Sequence, residues 1–205
     1  MLDIREQFKS CGKNVNIDKT AHIHAPHRLT VGHDVTIMSG FHLQDELRIA
    51  SIGNHVTFYP NCFIQGSGEL VIEDHVTFYP GVYLSVGNRE KSLIHIGHHS
   101  HFAPYAILYG HGRLRIGPHC NIAAHTVFST VGHDYHTKDQ LMADVPTIIG
   151  PITLEEDVWV GANATITANT HIAKGSVIGA NAVVTHDTQP RGIYTGVPAR
   201  HTRNR

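Results

Sequence analysis

Residues 129 to 150 read STVGHDYHTKDQLMADVPTIIG and bring two histidines, His133 and His136, together with three aspartates, Asp134, Asp139 and Asp144. An imidazole with an ordinary pKa near 6.5 can take up and return a proton at neutral pH. That is the chemistry a weakly acidic hydroxyl needs before it can attack a carbonyl carbon. Any of the carboxylates could orient a ring, although solvated loop carboxylates are the commoner case for at least two of them. The stretch breaks the rhythm of the sequence on either side, so the rhythm decides where these groups stand.

The rhythm has a period of six. From Leu154 the chain divides into LEEDVW, VGANAT, ITANTH, IAKGSV, IGANAV and VTHDTQ, opened by Leu154, Val160, Ile166, Ile172, Ile178 and Val184. The fifth places, Val158, Ala164, Thr170, Ser176, Ala182 and Thr188, are small or β-branched. A helix repeats apolar residues at three and four and a half-buried strand at two, so neither accounts for six. Hexapeptide repeats fit a parallel β-helix, in which three units close one triangular coil. The aliphatic residue points inward, the small fifth residue fits the corner, and Gly or Asn turns the chain. Stacked coils then bury one continuous core that no single coil could bury alone.

The amino-terminal half keeps the pattern with insertions. IGNHVT, IEDHVT, IGHHSH and IGPHCN begin at Ile52, Ile72, Ile96 and Ile116, after intervals of 20, 24 and 20 residues, and Phe58, Phe78, Phe102 and Ile122 follow six places on. Weaker units start at Ile17 and Val31. The count predicts about eight coils and a prism roughly 40 Å long, all-β and in one domain over 1–205, with a cap at 1–14, a projecting loop at 129–150 and a tail at 190–205. A loop of that length leaving a compact solenoid is usually functional, and Tyr135, Leu141, Met142 and Val145 are available to pack it down.

Composition removes several function classes. The chain has 205 residues, a formal net charge of −1 and 41% hydrophobic residues. No basic run offers a footprint for nucleic acid. Charges among the first six residues, with no apolar stretch behind them, predict neither a signal peptide nor a membrane span and hence a cytoplasmic protein. Cys11, Cys62 and Cys120 lack CxxC pairing, which argues against disulfides and thiolate zinc, and two of them should be buried. Nineteen histidines invite a metal reading. Yet His55, His75, His99 and His119 share the fourth place of their units, with His33 one place earlier in its own, and so stack on outward corners. The gamma-class carbonic anhydrases, prism-shaped zinc enzymes that this outline resembles, need a histidine pair five apart with a third far upstream. His22 and His27 have that spacing but no upstream partner, so no metal is expected within one chain.

The segments FSTVGHDYH, VWVGANATITANTHIAKGSVIGANAVVTHD and YTGVPAR resemble the hexapeptide-repeat acetyltransferases, in particular the maltose, galactoside and nodulation-factor O-acetyltransferase branch. The likeness is specific over residues 116 to 203 and architectural before that. It implies a left-handed parallel β-helix, a homotrimer with active sites between subunits, and acetyl-CoA as co-substrate. Handedness follows from the resemblance alone, because crossover connections are ordinarily right-handed. It places a catalytic histidine at His133, with His136 as the alternative base, and a backbone N–H between Trp159 and Ala162 against the oxyanion. Cofactor contacts would fall on Trp159, Gly161, Ala162, Ala180, Thr185, Arg200 and Arg203, the two arginines meeting the coenzyme's phosphates. Tyr105 stands on the acceptor side where many relatives carry asparagine, which implies a different acceptor.

The expected activity is O-acetylation of a sugar or polysaccharide precursor. N-acetylation of an amino sugar, or acetylation of an antibiotic alcohol, would share every donor-side residue. A non-catalytic β-helix scaffold is the alternative from another class, since fold alone does not establish activity. Flat prism faces and apolar FYP corners favour closure into a threefold ring.

Overall fold

A computed structural model describes residues 3–205. The chain winds into three parallel sheets, and each turn contributes one short strand to the first face, one to the second and one to the third. Eight coils run from Ser10–Cys11 on the first face to Val183–Val184 on the third. This is the expected left-handed parallel β-helix. Its strands are mostly two to four residues long because the chain must turn every six, and hydrogen bonding between coils replaces strand length.

The inward residues behave as the period requires. Leu154, Val160, Ile166, Ile172, Ile178 and Val184 are at most 2% exposed, and the corner residues Val158, Ala164, Thr170, Ser176 and Ala182 are buried with them. In the amino-terminal half, Phe58, Phe78 and Phe102 form a column inside the prism, with ring centroids 4.8 and 5.1 Å apart and planes nearly parallel.

Most corners carry one residue in the left-handed region. Between the first and second faces that column is Asn14, Asp34, His55, His75, His99, His119, Asp157 and Gly175. Asn, Asp and His are the non-glycine residues enriched at positive φ, so the histidines occupy corner positions their residue type tolerates. Their rings stack outside the prism at 4.5, 4.5 and 5.1 Å.

Both ends depart from the expected cap and tail. Ser10–Cys11 already pairs with Thr30 and Val31, after a short 3-10 turn at Ile4–Gln7; Met1 and Leu2 of the expected cap lie outside the described residues. At the other end, Gly192–Thr195 joins the second face and Arg200–Asn204 pairs with it antiparallel. The connecting residues take up the free backbone groups of the last coil: Val183 N–H donates to Gly196 O, Ala199 N–H to Val183 O, and Thr188 N–H to His171 O. The Gly and Pro of GVPAR lie in the turn that returns the strand.

Candidate active site

The interruption of the repeat is a β-hairpin. After Val127–Ser129 on the third face the chain leaves the prism, pairs Val131–His133 antiparallel with Thr147–Ile149, and resumes with Ile152–Leu154 on the first face. Gly150 N–H donates to Thr130 O at 3.1 Å, so the two ends of the excursion lie side by side at the third–first corner. Of the four residues available to pack the loop down, only Val145 is buried; Tyr135, Leu141 and Met142 are 73%, 74% and 50% exposed.

His133 ends the outgoing strand, opposite Thr147, and is exposed. His136 sits in the tip, its ring 4.3 Å from that of Tyr135. Asp134 does not orient either ring. Its carboxylate accepts from His136 N–H at 3.0 Å and from the Thr137 hydroxyl at 3.2 Å, fixing the tip's backbone instead. Asp139 and Asp144 are exposed loop residues.

A second group of residues gathers elsewhere. Trp159 opens the second-face strand of coil seven, 54% exposed, and lines a shallow groove of about 430 Å³ with Tyr79, His101 and Asn121. Gly161 and Ala162 follow at the second–third corner, and Ala180 occupies the same corner one coil on, where Asn181 N–H donates to Ala162 O. A Cβ on Gly161 would lie 2.6 Å from Ala180 N, so the coils meet there without room for a side chain. Arg200 pairs with Thr195 and Arg203 with Ile193 in the terminal hairpin, so Arg203 belongs to a strand and is not a frayed tail. Tyr105 stands at the second–third corner two coils below Asn163, with φ +60°, its ring stacked 5.4 Å from that of His125. Thr185 stands apart from these, at the far end of the third face, its hydroxyl 2.8 Å from His186 Nδ1.

The structure therefore brings Tyr105, Trp159, Gly161, Ala162, Ala180 and Arg200 to one side of the prism and puts His133 and His136 on another. In a triangular coil the third–first corner is the vertex opposite the second face. His133 is three residues from that vertex, a reach of at most about 10 Å even fully extended. Within one chain the two groups do not form one cleft.

Three nearby features have no counterpart in the sequence reasoning. His125 extends the Tyr105 stack. Arg89 donates from Nη2 to the Thr147 hydroxyl at 2.7 Å. It lies in the segment whose 24-residue interval marked extra corner residues. His111, beside Arg89, has a buried Nδ1 without a partner; burial first and then the Arg89 charge hold its pKa below the ordinary value. The buried thiols of Cys62 and Cys120 are pushed up to about 12 and about 11 by desolvation and are inert at neutral pH. Among the described residues, no group of three or more His, Cys, Asp or Glu is arranged to hold a metal ion, and no helix is long and apolar enough to cross a membrane.

Comparison with known proteins bears on this geometry. Residues 151–186 match the bacterial transferase hexapeptide (six repeats) family. Galactoside O-acetyltransferase of Escherichia coli K12 is 32% identical over 122 residues, which are 60% of this chain and 57% of that protein. A chloramphenicol acetyltransferase of Agrobacterium fabrum is 31% identical over 112 residues, 47% of this chain and 54% of the relative. The chain thus spans little more than half the length of these curated relatives. Among solved structures, the polysialic acid O-acetyltransferase OatWY superposes with a TM-score of 0.63 at 18% identity, covering 95% of this chain and 88% of its own, which shows the fold. A variant of AntD, an N-acyltransferase from Bacillus cereus, in complex with dTDP-4-amino-4,6-dideoxyglucose and coenzyme A, gives 0.57 at 25% identity, covering 97% and 84%. Residues 151–186 thus carry the hexapeptide repeat of bacterial transferases, and the triangular coils before them keep the same fold.

Proposed function

We propose that the protein is an acyltransferase that moves the acetyl group of acetyl-CoA to a hydroxyl of a sugar or polysaccharide precursor, in grooves shared between protomers of a homotrimer. The observation that carries this reading is the separation just described. One protomer offers a narrow corner of small residues ending in Arg200, and the imidazole able to take a proton stands on the opposite vertex, where it can serve only a neighbouring copy. A ring of three copies repeats that pairing three times, and burying second-face side chains such as Tyr79 and Trp159 favours the closure.

In this mechanism His133 accepts the hydroxyl proton while the oxygen attacks the thioester carbonyl carbon. The tetrahedral intermediate collapses, the carbon–sulfur bond breaks, and the imidazolium returns its proton to the departing thiolate. Because the thioester is already activated, no covalent enzyme intermediate is needed. The N–H groups of Trp159 and Gly161 already donate to Ser176 O and Ile178 O of the next coil, so Ala162 N–H is the donor this reading assigns to the developing oxyanion; the small corner residues admit the pantetheine arm, and Arg200 and Arg203 hold the coenzyme's phosphates by forked hydrogen bonds.

Thiol release from acetyl-CoA across a panel of sugars and amino sugars tests the reading. His133→Ala should lower turnover by about 100 to 10,000-fold. Loss confined to His136→Ala would transfer the role to that ring, a preference for amines would make the enzyme an N-acetyltransferase, and the absence of both turnover and acetyl-CoA binding would leave a scaffold. Light scattering showing a monomer at micromolar concentration would overturn the shared groove.

A further inference from the structure

We infer that the insertion at residues 86–92 is a brace for the hairpin, and that Arg89 is a positioning residue for His133; the inference rests on His133 acting as the base. Where coil three passes to coil four, three residues connect Gln65 to Glu69, whereas between Ser85 and Leu93 there are seven. The extra residues do not hang free. Val86 and Ser92 are fully buried, and the Ser92 hydroxyl both accepts from Arg89 N–H and donates to His111 O, each at 3.1 Å. This pins the arm to the next coil beside the hairpin's point of departure.

From that anchor Arg89 reaches 58 positions along the sequence. Its Nη2 donates to the Thr147 hydroxyl at 2.7 Å and also points at the Thr147 carbonyl at 3.4 Å. Thr147 is the cross-strand partner of His133. Beyond the first pair of the hairpin, Val131 and Ile149, these are the only hydrogen bonds found among the described residues between the hairpin and the rest of the chain. Packing supplies little else, with Ile148 and Ile149 at 52% and 39% exposure and Val145 the single buried apolar side chain. A two-stranded hairpin is marginal by itself, so the strand presenting His133 takes its position from Arg89. No carboxylate pairs with Arg89 among the described residues, which leaves its donors to the hairpin. Its immediate charged neighbours are Glu90, Lys91 and His111, and His111 is held toward neutrality.

Amide hydrogen exchange of residues 132–149 and steady-state thiol-release kinetics should be measured on wild type, Arg89→Ala, Arg89→Lys, Thr147→Val and the double variant Arg89→Ala/Thr147→Val. Arg89→Ala is expected to speed exchange in the hairpin while leaving the coils unchanged. It should lower kcat by about tenfold, as small misplacements of a catalytic group do, with KM for acetyl-CoA within about twofold. Arg89→Lys should restore part of the loss, and the double variant should be no worse than either single one. Unchanged hairpin exchange in Arg89→Ala overturns the brace, and a looser hairpin with undiminished kcat overturns the positioning role. A fall in kcat without loosening overturns it too, because Arg89 would then touch substrate. If His133→Ala retains full turnover, the assignment of the base has failed, and exchange alone still decides whether the brace exists.

Discussion

Within the eight coils nearly every sixth side chain is sealed inside the prism, while in the hairpin at residues 131–149 a single apolar side chain, Val145, is buried. Both are β-structure in the same chain, separated by one corner. Coils are cooperative with their neighbours above and below: Phe78 touches Phe58 and Phe102, and each strand is bonded on both sides. Beyond its first pair, the hairpin has among the described residues only its own strand pairing and the Arg89 hydrogen bonds. Stability is therefore concentrated in the stack, and the groups able to do chemistry project where a substrate or a second copy can reach them.

The sharpest way to break this contrast is excision. Thr130 and Gly150 already touch, so an Asn-Gly turn can replace residues 131–149. With His133 as the proposed base, turnover should fall at least about 100-fold, while the unfolding free energy stays within about 1 kcal/mol. A collapse in denaturant stability would show that the hairpin holds the coils together. The converse change is Phe78→Ala, which leaves a hole in a column sealed from solvent. It should destabilise the chain by about 3 to 5 kcal/mol in chemical denaturation, and a loss below 1 kcal/mol would remove the column from its central place.

A smaller effect tests the exposed counterpart of that column. Desolvation between stacked rings, and then the charges that His75, His119, His98 and His101 would carry, hold the pKa of His99 below its ordinary value. Asp34 lies 3.8 Å from His55, and Asp74 borders His75 and His55, so some opposite charge is at hand. Because the unfolded chain binds a proton at His99 more readily, its contribution to stability is complete above about pH 6.5 and is lost as the pH falls through the lower folded value. His99→Asn suits the same backbone conformation, as Asn14 does in that column. The fall in melting temperature between pH 8 and pH 5 should be shallower in this variant, and an identical fall would clear the histidine column of acid sensitivity.

Much of the stack could be read from spacing because each inward position repeats, and a one-residue error would expose a whole row. Leu154 to Val184 and the corner residues between them were assignable without coordinates for that reason. The hairpin lacked such a constraint. Tyr135, Leu141 and Met142 looked like packing residues by type, but apolarity without a period gives no direction, and they face solvent. The interval of 24 residues announced extra corner residues somewhere between Ile72 and Ile96; that Arg89 would reach Thr147 depends on both excursions leaving from one vertex, which only the closed triangle reveals. The relation between His133 and Trp159 was hidden in the same way, since neighbours in sequence were placed by the winding on opposite sides of the prism.

The terminal hairpin has a consequence for solubility. Parallel coils bonded one on another have no inherent reason to stop, and a bare final rung is a template for the next molecule, which is how fibres grow. Here Gly196, Ala199 and Thr188 occupy the backbone groups of the last rung, and the outermost strand runs the wrong way and carries Arg200, His201 and Arg203. An arriving copy would meet a cationic edge of opposite polarity, so elongation is disfavoured at that end by the same segment that carries the two arginines proposed to hold the coenzyme.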